Sequence, residues 1–432
     1  MHMMRDVYEE HLDEGAFLWA QWERALIAPN ATLRDTEILE ERLLEHLDAL
    51  VVGGVPVAEF LLQPALESEE PTRLSAALWA LLADPNGMKS AALEALLESF
   101  PGELHASVRR SLELSGWRAL TGTVLQPWLA REEATFVALA LDVLAFRREV
   151  PRPPLEWLSH PDGRVVAAAL RGSWPLPPEV DALRLSRLLA DSRLDVSDAA
   201  LEAGLVSGTR VAWETCRSRV AGQPDAARLS MVMLALSGER RDLELLLACL
   251  GRKDARADAL WALGFSGRRE AAEACLEFMS ERRAAPLAAE AFSAITGFEW
   301  ASPYVLTREE EAPLPPLEED LARDLEPGPE DALPLPSLPP VSAWWREARQ
   351  RFSKGQRYLR GREFSPDVLL DELEHGPMRR RHVLALELAW RSQGACLVQT
   401  RAFTHRQRTA LAQARAGRVR WRTSPWLQGQ AG

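Results

Sequence analysis

Only four cysteines occur in 432 residues, Cys216, Cys249, Cys275 and Cys396, and no two of them form a CxxC pair. That scarcity excludes a disulfide framework and a zinc ribbon, and reduced, buried thiols are expected. Lysine is nearly missing as well: Lys89, Lys253 and Lys354 stand alone against a basic complement that is otherwise arginine. No apolar run approaches the roughly 20 residues that cross a bilayer. The start, Met1-His2-Met3-Met4-Arg5-Asp6, turns acidic before any apolar core, so export is not expected and cytoplasmic residence is the simplest reading. Also missing are an HxxxH metal pair, a GxSxG nucleophile elbow and a glycine-rich phosphate loop. Neither a metal nor a cofactor is expected, no catalytic residue can be nominated, and the chain reads as non-enzymatic.

What is present is repetition. Between residues 70 and 300 a short Ala/Leu-rich stretch recurs around an apolar anchor at Leu78, Leu112, Leu141, Leu170, Leu201, Met233, Leu260 and Phe292. The spacing stays near 30 residues, which marks a helical solenoid in which each unit's apolar face is completed by its neighbours. Small residues flank each anchor so that adjacent helices can approach closely, and a Gly often follows as a stop. Trp79 and Trp261 occupy the same register, one residue after their anchors, which points to packing rather than to a ligand cage. The fold class expected is therefore all-α, a HEAT-like helical-repeat solenoid.

Four segments are expected. Residues 1–56 form N-terminal capping helices, one over 7–27 with Leu12, Ala16, Trp19 and Leu26 on one face, and a second carrying Leu39, Leu43, Leu47 and Leu50 up to Gly53-Gly54. The run Glu37, Glu40, Glu41 and Glu45 suits the polar outer face of an end unit. Residues 57–306 are the HEAT-like repeats. Residues 307–340 hold nine prolines among ten acidic residues and read as an extended, acidic linker without helix or ladder, whose alternating leucines suggest that it lies along a surface. Residues 341–432 form a basic, mainly helical Arg/Trp-rich module, with helices about 366–374 and 377–393. The net charge of −12 conceals this asymmetry, because 18 Lys/Arg and 7 Asp/Glu fall after residue 340, leaving 33 and 56 before it.

The strings HPDGRVVAAAL at 160–170 and DARADALWALG at 254–264 resemble HEAT-like repeats of the short bacterial kind. Further strings, HLDEGAFLW at 11–19, LEERLLEHLDALVVGG at 39–54, AAEAFSAITG at 288–297, GQRYLRG at 355–361 and RRRHVLALELAW at 379–390, resemble an uncharacterised proteobacterial family with such repeats. Members of that family look associated with type VI secretion gene clusters, and the resemblance implies an accessory or adaptor role without catalytic residues.

The strongest candidate residues lie in the basic module. Trp344 and Trp345 follow the linker as an interface anchor, and Arg357, Tyr358, Arg379, Arg380 and Arg381 join them as protein-interaction candidates. Arginines interleaved with aromatics also resemble a nucleic-acid footprint. The acidic remainder of the chain offers an internal counterpart, and docking on it, or on an acidic protein, is the favoured reading. Glu387, embedded in VLALELAW, is expected to pair with Arg391 one turn on. Other carboxylate pairs, Glu132-Glu133 and Glu318-Glu319, read as helix starts or linker, and His375 and His382 as surface residues.

The function expected is a non-enzymatic protein-binding scaffold or adaptor with a protein partner, a secretion-system component among the choices, and with no membrane contact. Nucleic-acid binding through the basic module is the alternative. A lyase-type enzyme, by analogy with the HEAT-like repeats of bilin lyases, comes last.

Overall fold

The computed structural model describes residues 5–83, 90–99, 104–149, 155–222, 227–306, 328–417, 419 and 421–422. Among the described residues the fold is all-α apart from one small hairpin and one isolated bridge, and the chain divides into two compact units: unit 1 comprises Met1–Ile27, Ala31–Ala212 and Gln393–Gln413, and unit 2 comprises Ala28–Asn30, Trp213–Ser392 and Ala414–Gly432. No single described helix is long and apolar enough to cross a membrane, although Leu33–Val52 and Gly54–Ala65, bent by 103°, pass on length and composition as a pair.

Unit 1 opens with α1 (Arg5–Ala25) and α2 (Leu33–Val52). Leu12, Ala16, Trp19 and Leu26 are all buried, as their three- and four-residue spacing requires. Thr32 and Asp35 form a reciprocal capping box that starts α2. The buried stripe of α2 is Leu33, Thr36, Glu40, Leu43, Leu47 and Leu50, so Leu39 is only half-buried and Glu40 lies inside. That corrects the reading of the glutamate run as a uniform outer face: Glu41 and Glu45 are exposed, but Glu40 faces inward. Then follow α3 (Gly54–Val57), α4 (Gln63–Ala65), α5 (Pro71–Ala83), α6 (Ser90–Ser99), α7 (His105–Leu114), α8 (Gln126–Leu129), α9 (Ala134–Arg147), α10 (Gly163–Arg171), α11 (Ala182–Leu189) and α12 (Leu194–Val206). The division between the units falls within α13 (Arg210–Gly222).

The anchors explain the stacking. Leu78, Leu112, Leu141, Leu170 and Leu201 sit one each on α5, α7, α9, α10 and α12, and each of these helices packs on the next. All five side chains are buried, and each contributes about 2 kcal/mol of apolar burial. The turn His160-Pro161-Asp162 ends in an N-cap, where the Asp162 carboxylate accepts the Arg164 amide at 2.8 Å.

Unit 2 repeats the arrangement with α14 (Arg228–Ser237), α15 (Arg240–Cys249), α16 (Arg256–Ser266), α17 (Arg269–Phe278) and α18 (Ala285–Thr296). Met233, Leu260 and Phe292 are the buried anchors, and α14, α16 and α18 stack in that order. Gly267 and Gly297 end α16 and α18 at φ of 64° and 72°, the left-handed cap that glycine adopts without strain.

Beyond α18 the chain is described to residue 306 and again from 328; residues 307–327 of the expected linker, Glu318-Glu319 included, lie outside the described residues. The rest of that segment departs from the expectation of no ladder and no helix. Val305 and Pro336 form an isolated antiparallel bridge, and α19 (Leu338–Ala348) already includes Pro339 and Pro340 in its first turn. Proline is tolerated there because the first helical amides have no intrahelical acceptor. Next come β1 (Tyr358–Leu359) and β2 (Arg362–Glu363), joined by the two-residue turn Arg360-Gly361 with positive φ at both positions. Helices α20 (Pro366–His375) and α21 (Met378–Arg391) match the two stretches expected near 366–374 and 377–393. The last helix, α22 (Thr404–Ala416), belongs to unit 1 through Gln413. All four cysteines are buried, and no disulfide joins any two of them.

Candidate functional site

Every α-helix leaves carbonyl groups unpaired at its C-terminus and carries a partial negative charge there. In unit 2 the arginine-rich segment 357–391 supplies donors to three such ends. Arg391 Nη2 donates to the Leu236 carbonyl in the last turn of α14 at 3.4 Å, and Arg357 Nη2 donates to the Phe265 carbonyl in the last turn of α16 at 3.0 Å. The hairpin turn serves α18: the Arg360 and Gly361 amides donate to Ala294 and Ile295 at 2.8 and 2.9 Å, while the Tyr358 amide donates to Gly267 at 2.8 Å. This close approach needs glycine, since a Cβ on Gly267 would lie 2.2 Å from the Tyr358 carbonyl oxygen and one on Gly297 2.5 Å from that of Arg360.

Glu387 organises the ledge. It is fully buried, accepts Arg391 Nε at 2.6 Å and Arg357 Nη2 at 2.9 Å, and pairs a second time with Arg357 Nη1. The Arg391 contact is the one expected from the i, i+4 spacing. Burial alone would raise the Glu387 pKa, but the charges of Arg357 and Arg391 and their hydrogen bonds together hold it below the usual carboxylate range. Both guanidinium groups stand over the Phe364 ring, Arg357 at 4.1 Å and Arg391 at 4.5 Å from its centroid.

A second cluster surrounds Trp261, the residue after the Leu260 anchor. Arg379 and Arg380 stand 4.7 and 4.9 Å over its ring. Arg379 Nε donates to both oxygens of Glu290 at 3.2 Å, and its Nη2 to Glu330 at 2.8 Å. Arg380 is stacked 3.8 Å from the Phe265 ring and 3.7 Å from Glu290, yet its Nη1 and Nη2 have no hydrogen-bond acceptor. Burial pushes its pKa down to about 10. Arg381 is buried with Nε donating to the Leu373 carbonyl at 2.6 Å. Trp345 is buried and Trp344 half-buried, and both rings meet Phe292, the last anchor, at 5.4 and 5.9 Å. Tyr358 is buried against Phe352.

The seven candidates from the sequence thus all fall in unit 2, where six are buried and their contacts are with their own chain. Between residues 341 and 391 the exposed Arg and Lys residues are Arg346, Arg349, Arg351, Lys354 and Arg362. His375 and His382 are exposed, as expected, and His382 stacks on Trp261. Among the described residues no group of three or more His, Cys, Asp or Glu is placed to hold a metal.

Residues 393–413 play the corresponding part inside unit 1. Phe403 packs on Trp22 at 5.3 Å and on Trp79, the residue after the Leu78 anchor, at 6.3 Å. Arg406 donates to the Glu113 and Ser115 carbonyls at the end of α7, each at 3.2 Å. Glu40 accepts the Thr404 amide and hydroxyl, both at 2.8 Å, and Trp22 Nε1 at 3.2 Å. Burial pushes the Glu40 pKa up to about 7 despite these donors, which are all neutral. Sequence reading missed Glu40, Thr404 and Arg406 as partners, because hydrogen bonds between residues hundreds of positions apart leave no local period.

A cavity of about 270 Å³ opens within unit 2 between α18, the hairpin, α20 and α21. Its polar lining includes Glu290, Arg360, Glu372, Arg380 and Trp300, and the Trp300 Nε1 donor is buried without an acceptor.

No family model matches the chain, and no curated protein does. Among solved structures it is similar to the crystal structure of an engineered protein, at 16% identity over 66% of this chain and 89% of that one, with a TM-score of 0.28. That likeness is too slight to bear on fold or activity.

Proposed function

We propose that the chain is a non-enzymatic protein-binding scaffold, and that its partner presents an acidic segment to the basic strip Arg346, Arg349, Arg351 and Lys354. The observation that supports this reading most is the partition of the arginines. Those on 357–391 are largely spent on helix ends and buried carboxylates, whereas the strip on α19 and the turn after it faces solvent. Stacked helical repeats suit the same role, since they present long, regular surfaces to a partner. The resemblance to a family associated with type VI secretion clusters makes a secretion-system component the first partner to try.

The test is affinity purification from the native host with mass spectrometry, comparing the wild type with the variant Arg346→Glu, Arg349→Glu, Arg351→Glu, Lys354→Glu. A protein recovered by the wild type and lost with the variant is expected. Equal recovery by both would overturn the assignment of the strip. Salt-sensitive retention of DNA or RNA, abolished by the same variant, would move the reading to nucleic acid.

A further inference from the structure

A neutral imidazole carries one N–H and one lone pair, so two rings that meet nitrogen to nitrogen can share either a proton or a metal ion. His11 on α1 and His46 on α2 meet in this way inside unit 1. Their Nδ1 atoms are 3.1 Å apart, and the rings cross edge-on at 62° with their centres 5.0 Å apart. Two nitrogens held by one zinc ion, each at about 2.0–2.1 Å and between a right angle and the tetrahedral angle, stand about 2.8–3.4 Å from one another. The pair already has that bite. Rings aimed straight at each other across the same gap would have centres roughly 5.4 Å apart. At 5.0 Å at least one nitrogen points off the joining line, as ligands that converge on a third atom must.

The helices hold the two rings in place. Leu12, next to His11, and Leu43, Leu47 and Leu50 around His46 are all buried, so the backbones cannot part without opening the seam between α1 and α2. Gly15, one turn after His11, keeps α1 free of a side chain opposite His46: a Cβ there would stand 3.4 Å from Leu47 and 4.0 Å from the His46 Cβ. Both rings are half-buried, so water reaches the site. Among the described residues neither imidazole has a further hydrogen-bond partner. Each ring proton can therefore sit on Nε2 and leave both Nδ1 lone pairs for one ion. No third His, Cys, Asp or Glu among the described residues joins them, so water fills the remaining positions. Imidazole nitrogen suits zinc and its transition-metal neighbours, whereas magnesium and calcium require oxygen donors. The sequence expectation of no metal rests on the lack of an HxxxH pair within one helix; this pair spans two helices and 35 positions.

We propose that His11 and His46 form a two-imidazole site for a divalent transition-metal ion of the zinc class, held between α1 and α2. The site is independent of the basic strip and goes beyond the scaffold reading.

The probe is Zn²⁺, titrated into the full-length protein by calorimetry in a non-chelating buffer, with Mg²⁺ as the control. Saturable binding of one Zn²⁺ per chain in the micromolar range is expected, and none of Mg²⁺. His46→Gln keeps a polar side chain of similar reach and should lower the Zn²⁺ affinity at least tenfold, while His375→Gln, at an exposed histidine of unit 2, should leave it unchanged. Should His46→Gln fail to fold, His11→Gln takes its place with the same expected loss. In ¹⁵N-histidine spectra of the wild type, the two rings whose signals these variants remove should shift at Nδ1 on adding Zn²⁺ and keep their proton on Nε2, a response that a purely structural histidine pair does not give. No saturable Zn²⁺ binding, unchanged affinity in a folded His46→Gln or His11→Gln protein, or ligation through Nε2 would overturn the proposal. None of these outcomes touches the acidic-partner reading, which the charge-reversed strip tests separately.

Discussion

Glu387 in unit 2 and Glu40 in unit 1 are both buried carboxylates: Glu40 binds Thr404 of the C-terminal chain directly, and Glu387 holds the two arginines, Arg357 and Arg391, that reach the helix ends of its unit. Their acidities nevertheless move in opposite directions, Glu387 downward and Glu40 up to about 7. Depth does not account for the difference, since both are nearly inaccessible. The partners do: two guanidinium groups stabilise the anion at Glu387, whereas an amide, a hydroxyl and an indole at Glu40 cannot replace the lost hydration. Unit 2 fastens the segment by arginines on helix ends around a buried carboxylate, and unit 1 adds to one such contact, Arg406 on the end of α7, aromatic packing around Phe403 and a carboxyl that titrates near 7.

The largest expected effect breaks the charged fastening. Glu387→Gln leaves Arg357 and Arg391 buried without their carboxylate, and truncating one side of a buried pair typically costs about 3–5 kcal/mol. Hydrogen exchange of the α21 amides should accelerate correspondingly, while the α1 and α2 amides serve as the reference. In the wild type the sign of the pH dependence follows from the depressed pKa: this stabilisation is present above the unfolded carboxylate value and is lost as pH falls through the folded one.

The pH response at Glu40 should run the other way. A carboxyl whose folded pKa lies above its unfolded value binds the proton more tightly in the folded chain. Its stabilisation is therefore complete below the unfolded value of 4.5 and is lost as pH rises through about 7. The shift corresponds to roughly 3 kcal/mol between the two limits. Exchange of the α2 and α22 amides, measured from pH 5 to 8 and corrected for intrinsic rates, should show that slope in the wild type and lose most of it in Glu40→Gln. An unchanged slope in the variant would place the titration elsewhere.

How much of this was legible beforehand depends on range. The eight anchors, the caps at Asp162, Gly267 and Gly297, and the Glu387–Arg391 pair are local patterns, and all stand where the spacing puts them. The destinations of Arg357, Arg379 and Arg391 were not legible, because arginine in a basic stretch looks the same whether it faces solvent or a helix end. Glu40 was read as outer-face polarity for the same reason: its partner Thr404 is 364 positions away. The shared register of Trp79 and Trp261 suggests packing between repeat units, and both are buried, but the chain that packs on them is the C-terminal one, through Phe403 and through Arg379 and Arg380.

A smaller effect sharpens the role of the hairpin. Gly267→Ala combines a left-handed backbone with a methyl group pressed against the Tyr358 carbonyl, and a loss of about 2 kcal/mol is expected. Gly116→Ala in unit 1 is the control, since a Cβ there meets nothing within 4 Å. Faster exchange at the ends of α16 and α18, without change in α5 or α7, would show that the hairpin acts as a cap for those helices.

The smallest effect comes from the ion pairs that remain wet. Arg401 pairs with Glu23 at 2.6 Å, but its side chain is 57% exposed, so water and salt screen most of the attraction. Glu23 is also held by Arg110 at 2.5 Å, a side chain only 10% exposed that stands 5.1 Å over Trp22 and donates to the Arg401 carbonyl. Removing Arg401 therefore leaves Glu23 with a better partner, and Arg401→Ala should cost less than about 0.5 kcal/mol. Arg110→Met, by contrast, takes a stacked guanidinium from Trp22 and a donor from the backbone of residue 401 in one step. If the two variants lose equal stability by exchange in α1 and α22, charge would fasten unit 1 as it does unit 2, and the contrast drawn from Glu40 and Glu387 would fail.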